Sequence, residues 1–114
     1  MLHMISTFSL RDPDDLDRFE RAMTRLYTHL ADQDLLVRVG AICARSSDTP
    51  MDSDDERAHA LCFTTTFTDQ EQCDRAYRYI ERRGSEAAIF HAQMMACIAD
   101  DAVFSCWREM TSFS

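Results

Sequence analysis

Residues 58–71 read AHALCFTTTFTDQE. Apart from His59 the first ten are apolar or β-branched, and the run Thr64, Thr65, Thr66 favours a strand. The last four, Thr68-Asp69-Gln70-Glu71, spell a capping box in which Thr68 bonds forward and Glu71 reaches back. A strand therefore leads directly into a helix, with Cys73, Ala76, Tyr77 and Ile80 on its inner face. Gly84 ends that helix, and Ser85 can cap a second helical piece over about 86–98. Residues 102–109, AVFSCWRE, follow as a strand. Upstream, LLVRVGAICAR (35–45) is another β-type run. SSDTPMDSDDER (46–57) holds Pro50 and five acids with no apolar period, and reads as an exposed, mobile connection. It lacks the glycine and the distal glutamate of a calcium loop.

The N-terminal third has the same logic. LHMISTFSL (2–10) is short and partly alternating, as a strand is. Asp12 suits an N-cap, Pro13 the first helical position, and Asp14 and Asp15 the positive end of the helix dipole. Leu16, Phe19, Met23, Leu26, Tyr27 and Leu30 recur at three and four, so the helix runs to about residue 31. The order βαββ(αα)β implies an α+β chain, a ferredoxin-like βαββαβ sandwich over 1–114 as one domain, with its second helix broken near Gly84. Its four-stranded antiparallel sheet takes the order 4-1-3-2, and the first and third strands are expected to run parallel as neighbours. The strands are apolar on both faces: in the last one, Val103 and Trp107 oppose Ala102, Phe104 and Cys106. One face must be covered from outside the chain, most simply by a second copy, which predicts a homodimer made sheet to sheet.

Composition excludes several chemistries. The 114 residues contain no lysine and no asparagine, and only Gly40 and Gly84 as glycines. A phosphate-cradling loop, a dinucleotide fingerprint and a Schiff base are all excluded. Twelve arginines face 20 carboxylates, a net charge of −8. With no basic stretch, neither nucleic acid nor an anionic membrane surface is an expected partner. No apolar run approaches the ~20 residues that span a bilayer. Five cysteines (43, 62, 73, 97, 106) show no paired spacing and fit free thiols in a reducing cytoplasm; no export signal precedes them. No histidine pair has the helical metal-ligand spacing, so no metal is implied and no cofactor is expected; a haem- or metal-dependent relative is a third reading, which an ultraviolet-visible spectrum would test.

With the histidine-bearing first strand (LHMISTF), the Asp/Pro-capped helix, the third strand opening on a histidine (AHALCFTTTF) and the closing aromatic strand (VFSCWRE), the chain resembles the dimeric α/β-barrel superfamily. Nearest in layout are the stress-responsive barrel proteins, the small polyketide cyclases and the cofactor-free antibiotic-biosynthesis-type monooxygenases. The resemblance implies a dimeric barrel with a ligand cavity between each sheet and its helices. The cyclase-like relatives carry histidines on the first strand and early on the third, with a tyrosine on the second helix. His3, His59 and Tyr77 occupy similar places, with Tyr79 competing for the last role. The H-P-x-H setting such cyclases carry after that helix is absent; the stretch reads RRGSEAAIF, with His91 farther on.

From the residues alone, parallel first and third strands would bring His3 and His59 together at one end of the sheet. A neutral imidazole can take a proton and a tyrosine hydroxyl can hold a developing oxyanion. That would suit enolisation or ring closure of an activated carbonyl compound, with His59 as the base and His3 and Tyr77 as orienting and oxyanion groups; an aromatic or polyketide-like substrate is what the resemblance implies. Trp107, Phe63 and His91 would line the site of a small apolar ligand. His29 can simply cap helix carbonyls. Arg38 and Arg108 can hold a ligand carboxylate or pair with an acid across the dimer. The competing reading is a non-catalytic ligand-binding or protein-interaction module on the same dimer, and it predicts histidines that lie apart.

Overall fold

The computed structural model describes residues 1–46, 49–56 and 58–111. Strand β1 (Leu2–Phe8) leads through a single 3-10 turn (Pro13–Asp15) into helix α1 (Leu16–Asp32). Asp12 caps the turn by accepting from the Asp14 N–H at 3.0 Å. Then come β2 (Arg38–Val39), β3 (Cys43–Ala44), β4 (Leu61–Phe67), α2 (Gln70–Glu81), α3 (Glu86–Met95) and β5 (Val103–Arg108). Between α2 and α3 the backbone turns through Gly84 at φ +82, in the left-handed region that glycine tolerates, and Ser85 caps α3 by accepting from Ala88 N–H.

The sheet runs β2-β4-β1-β5, with β3 also beside β4. The expected second strand, 35–45, is thus two short pieces of one edge. Arg38 pairs with Thr66 and Val39 with Thr65, but Cys43 pairs with Cys62, so the edge gains one residue on its partner around Ala41 and Ile42. That is a β-bulge, a common way of twisting an edge out of reach of further pairing.

One expectation is overturned. β1 and β4 are antiparallel, Leu2 opposite Phe67 and Phe8 opposite Leu61. The reason is topological. The α1 crossover leaves β2 running in the same direction as β1, and the hairpin-like return reverses the chain once more. β4 must then oppose β1.

The cap of α2 also differs in detail from the expected box. Asp69, not Thr68, is the N-cap and accepts from Gln72 N–H at 2.8 Å. Gln72, not Glu71, reaches back, its Oε1 accepting from Thr68 N–H at 2.7 Å. Gln72 is buried and also donates to the Asp34 carbonyl, so the cap is tied to the end of α1.

The helices lie on one face of the sheet. Phe8, Phe19, Tyr27 and Phe63 form an aromatic cluster there, with ring centroids 4.9 to 6.2 Å apart. Leu26 and Leu30 of α1 and Cys97 beyond α3 complete the buried middle. Of the acidic connection over 46–57, residues 47, 48 and 57 lie outside the described residues. Its described part is tied down: Arg45 meets Asp54 at 2.7 Å and Asp52 at 3.3 Å, and Asp52 accepts from Thr49.

Candidate functional site

The strand period of two sets the outer face, the one without helices. His3, Ile5 and Thr7 of β1 lie there with Thr66, Thr64 and Cys62 of β4 and Trp107, Ser105 and Val103 of β5. His3 stands between Thr66 and Trp107, its direct cross-strand neighbours. Its Nδ1 is 2.8 Å from Thr66 Oγ1 and its Nε2 2.7 Å from Glu109 Oε2. A carboxylate only accepts, so Nε2 carries the proton and Nδ1 accepts from the Thr66 hydroxyl; this tautomer is assigned from the partners. The hydrogen bond from His3 holds the Glu109 carboxyl below its usual range, helped by the N-terminal amine at 3.7 Å and by Arg38. The result is a carboxylate–imidazole–hydroxyl chain, the geometry that orients a general base. Thr66 is only 2% exposed, so the chain ends on a buried hydroxyl.

The other expected site residues do not join it. Because β1 and β4 are antiparallel, His59 lies beyond Leu61, at the opposite end of the sheet from His3 and about 20 Å away at the usual rise per residue. His59 Nε2 donates to the Asp101 carbonyl at 2.6 Å, and Nδ1 lies 3.1 Å from Glu56 Oε1. The Asp101 carbonyl raises its pKa above the ordinary value, burial opposes this, and Glu56 adds to the rise. An imidazole held at both nitrogens by acceptors ties two loops together; it has no lone pair free for a substrate proton. Tyr77 is 61% exposed on α2, where its hydroxyl bonds to Glu81. Tyr79 instead meets His29: Nε2 and the phenol oxygen are 2.7 Å apart, and Glu86 is 3.6 Å from Nδ1. His29 thus joins the three helices rather than capping carbonyls. Phe63 is enclosed in the aromatic core. His91 is half-buried on α3, and burial lowers its pKa. Trp107 is exposed on the outer face, its Nε1 donating to Ser105 Oγ.

The expected cavity between sheet and helices is filled at its centre by the aromatic cluster. It opens at one edge. The helix layer stops short of β5, so Phe104, Cys106 and Arg108 on the inner face of that strand remain exposed. A cleft of about 560 Å³ lies between this strand and the start of α2. Leu2 of β1 and the preceding Met1 line it, with Gln70, Cys73 and Asp74 of α2 and its N-cap Asp69, and Cys106, Arg108 and Glu109 from the last strand and its end. His59, Tyr77 and Trp107 are not among its lining residues. Glu109 is therefore shared: it lines the cleft and holds His3 on the far side of the sheet. The strand period in VFSCWR puts Cys106 and Arg108 on one face, a signal present in the sequence. The partnership of residues 3 and 109 needs the register, which sequence spacing does not give. Among the described residues no three His, Cys, Asp or Glu side chains converge as a metal site, and no helix is long and apolar enough to cross a membrane.

No protein-family profile and no curated protein matches the chain. Solved structures do. A protein from Arabidopsis thaliana superimposes with a TM-score of 0.70 at 13% identity, over 100% of this chain and 99% of that one. A variant of SnoaB, a cofactor-independent oxygenase from Streptomyces nogalater, gives 0.66 at 13% identity, over 97% and 94%. A dimeric ferredoxin-like protein of unknown function from Jannaschia gives 0.65 at 16%, over 95% and 98%. At these identities the likeness is one of fold. The chain is an α+β protein with the ferredoxin-like fold that these proteins share.

Proposed function

We propose that the chain is a homodimeric α/β-barrel protein that binds a small aromatic, polyketide-like molecule carrying an acidic group. The observation that carries this reading is the cleft between α2 and β5. It has an apolar floor at Leu2, and in its wall Arg108 makes no ion pair among the described residues. Arg108 and the Met1 amine are the cationic groups of a cleft that also holds Asp69, Asp74 and Glu109, so the site suits an aromatic ligand with a single acidic group, held at Arg108, and disfavours further negative charge. The sheet-to-sheet dimer is supported by the exposed Val103 and Trp107 of the outer face and by structural neighbours described as dimeric.

A titration with 1-anilinonaphthalene-8-sulfonate, an aromatic anion, tests the cleft. The folded protein should enhance its fluorescence saturably, and Arg108→Gln should weaken binding about tenfold, a difference of about 1.4 kcal/mol. Equal affinity in the variant would sink the assignment.

A second reading adds turnover without a cofactor, in the manner of a cyclase or monooxygenase, and rests on the Glu109–His3–Thr66 chain. In it the Thr66 hydroxyl turns away from His3 Nδ1, which then accepts the substrate's proton while Glu109 holds the tautomer; His59 and Tyr77 have no part. Anthrone in air-saturated buffer is a suitable probe, because loss of its acidic C–H proton precedes oxidation by oxygen. If the protein turns it over, His3→Ala should reduce the rate about 10²-fold. A rate equal to the protein-free control leaves the binding module without catalysis, the alternative that the separated histidines favour.

A further inference from the structure

Spacing along the chain gives no reason to pair the cysteines, but the fold pairs four of them. Cys43 and Cys62 are directly opposite across β3 and β4, on the outer face. Cys73 and Cys106 are 33 positions apart in sequence, yet they stand on the two walls of the α2–β5 cleft. Cys106 is near enough to act electrostatically on the Cys73 thiol. The fifth, Cys97, is fully buried, so a reagent disulfide does not reach it.

We propose that Cys73 and Cys106 form a modification site at which a small-molecule disulfide cross-links α2 to β5. The two sulfurs are unequal, and the inequality orders the steps. Cys106 is exposed on the strand that the helices leave bare. Cys73 is partly enclosed, and burial together with the neighbouring Cys106 thiol pushes its pKa up to about 11. The Cys106 thiolate therefore attacks first, forming a mixed disulfide and releasing one thiol of the reagent. Burial, the larger cause, still holds the Cys73 thiol up once Cys106 is capped, so the second step is the slower one. Cys73 then loses its proton, attacks the Cys106 sulfur and expels the second thiol. Two protein thiols are oxidised and one reagent disulfide is reduced to two thiols. Among the described residues β5 is an edge strand that pairs with β1 alone, so it can give the small shift that disulfide geometry asks for. The bond would cross the cleft, so oxidation should exclude a ligand; that consequence rests on the proposed use of the cleft, whereas the cross-link does not.

The experiment treats the folded full chain with oxidised glutathione and reads intact mass and a peptide map. Digestion at arginine and at acidic residues separates every cysteine, since Asp69 and Glu71 lie between Cys62 and Cys73 and Asp100 and Asp101 between Cys97 and Cys106. The wild type should lose two hydrogens and give a linked peptide containing Cys73 and Cys106. Cys73→Ser should stop at a glutathione adduct on Cys106, with its circular dichroism unchanged. A map holding only adducts, only free thiols, or only a Cys43–Cys62 link overturns the proposal. Loss of 1-anilinonaphthalene-8-sulfonate binding on oxidation tests the consequence separately: a cross-linked protein that still binds the dye keeps the modification site and removes the ligand from the cleft.

Discussion

At the scale of single residues, the two strand-associated histidines show how partners decide a role. His59 has acceptors at both nitrogens, so its charged form is favoured and its pKa lies above the ordinary 6.5, chiefly through the Asp101 carbonyl. A raised folded pKa means that the native state holds the proton more tightly than the unfolded chain. The stabilisation is complete below 6.5 and is lost as pH rises through the folded value. His59→Gln can keep a donor to Asp101 but cannot titrate. Urea midpoints from about pH 5.5 to about pH 8.5 should show the wild type losing stability relative to this variant as pH rises; parallel profiles would show that the imidazole carries no such coupling. Glu109 works in the opposite sense. Its carboxyl is held below 4.5, first by the His3 hydrogen bond, so its contribution is present above 4.5 and lost as pH falls through the folded value. The sequence made His3 and His59 visible as candidates. It could not distinguish them, because the difference lies in Glu109, Thr66 and Asp101, whose approach is a matter of tertiary register.

Among the elements, α2 offers the cleanest local test. Asp69 satisfies an otherwise orphaned N–H of the first turn, and Gln72 closes the reciprocal bond to Thr68. Asp69→Ala should therefore destabilise the protein by about 1 kcal/mol in urea unfolding, while Glu71→Ala, one position from the reciprocal partner, should cost well under half of that. Equal costs would restore the box read from Thr68 and Glu71. Local signals served the helices well: the three-and-four spacing from Leu16 to Leu30 and the Ser85 cap each act within one turn, and one turn is what sequence spacing reports. The strands fared less evenly. The apolar run 35–45 looks continuous, but the extra residue near Ala41 and Ile42 is visible only against β4. The direction of β1 against β4 follows from connectivity, and it alone moved His59 away from His3.

For the whole molecule, the outer face is the surface that association would cover. Ile5 and Thr7 at its centre are flanked by Val103 and Trp107, which are 50% and 61% exposed. An exposed indole of this size, once covered, contributes on the order of 2 kcal/mol per copy. In a two-fold arrangement each side chain counts twice. Opposing this, each chain carries a net charge of −8, so two copies repel, and salt should strengthen their association by screening. Sedimentation should therefore give a particle of twice 13.2 kDa whose dissociation falls as ionic strength rises. Trp107→Glu places a charge within the contact and should return a folded particle of half that mass. A wild type that stays at 13.2 kDa up to millimolar concentration would remove the barrel. The same variant separates the two readings of function, because Trp107 neighbours His3 but is absent from the cleft. Dye binding should survive Trp107→Glu, since Arg108 and Leu2 face the other side of the sheet. Anthrone turnover, if the wild type supports it, should fall with the dimer, because only a second copy can shield the His3 imidazole from water.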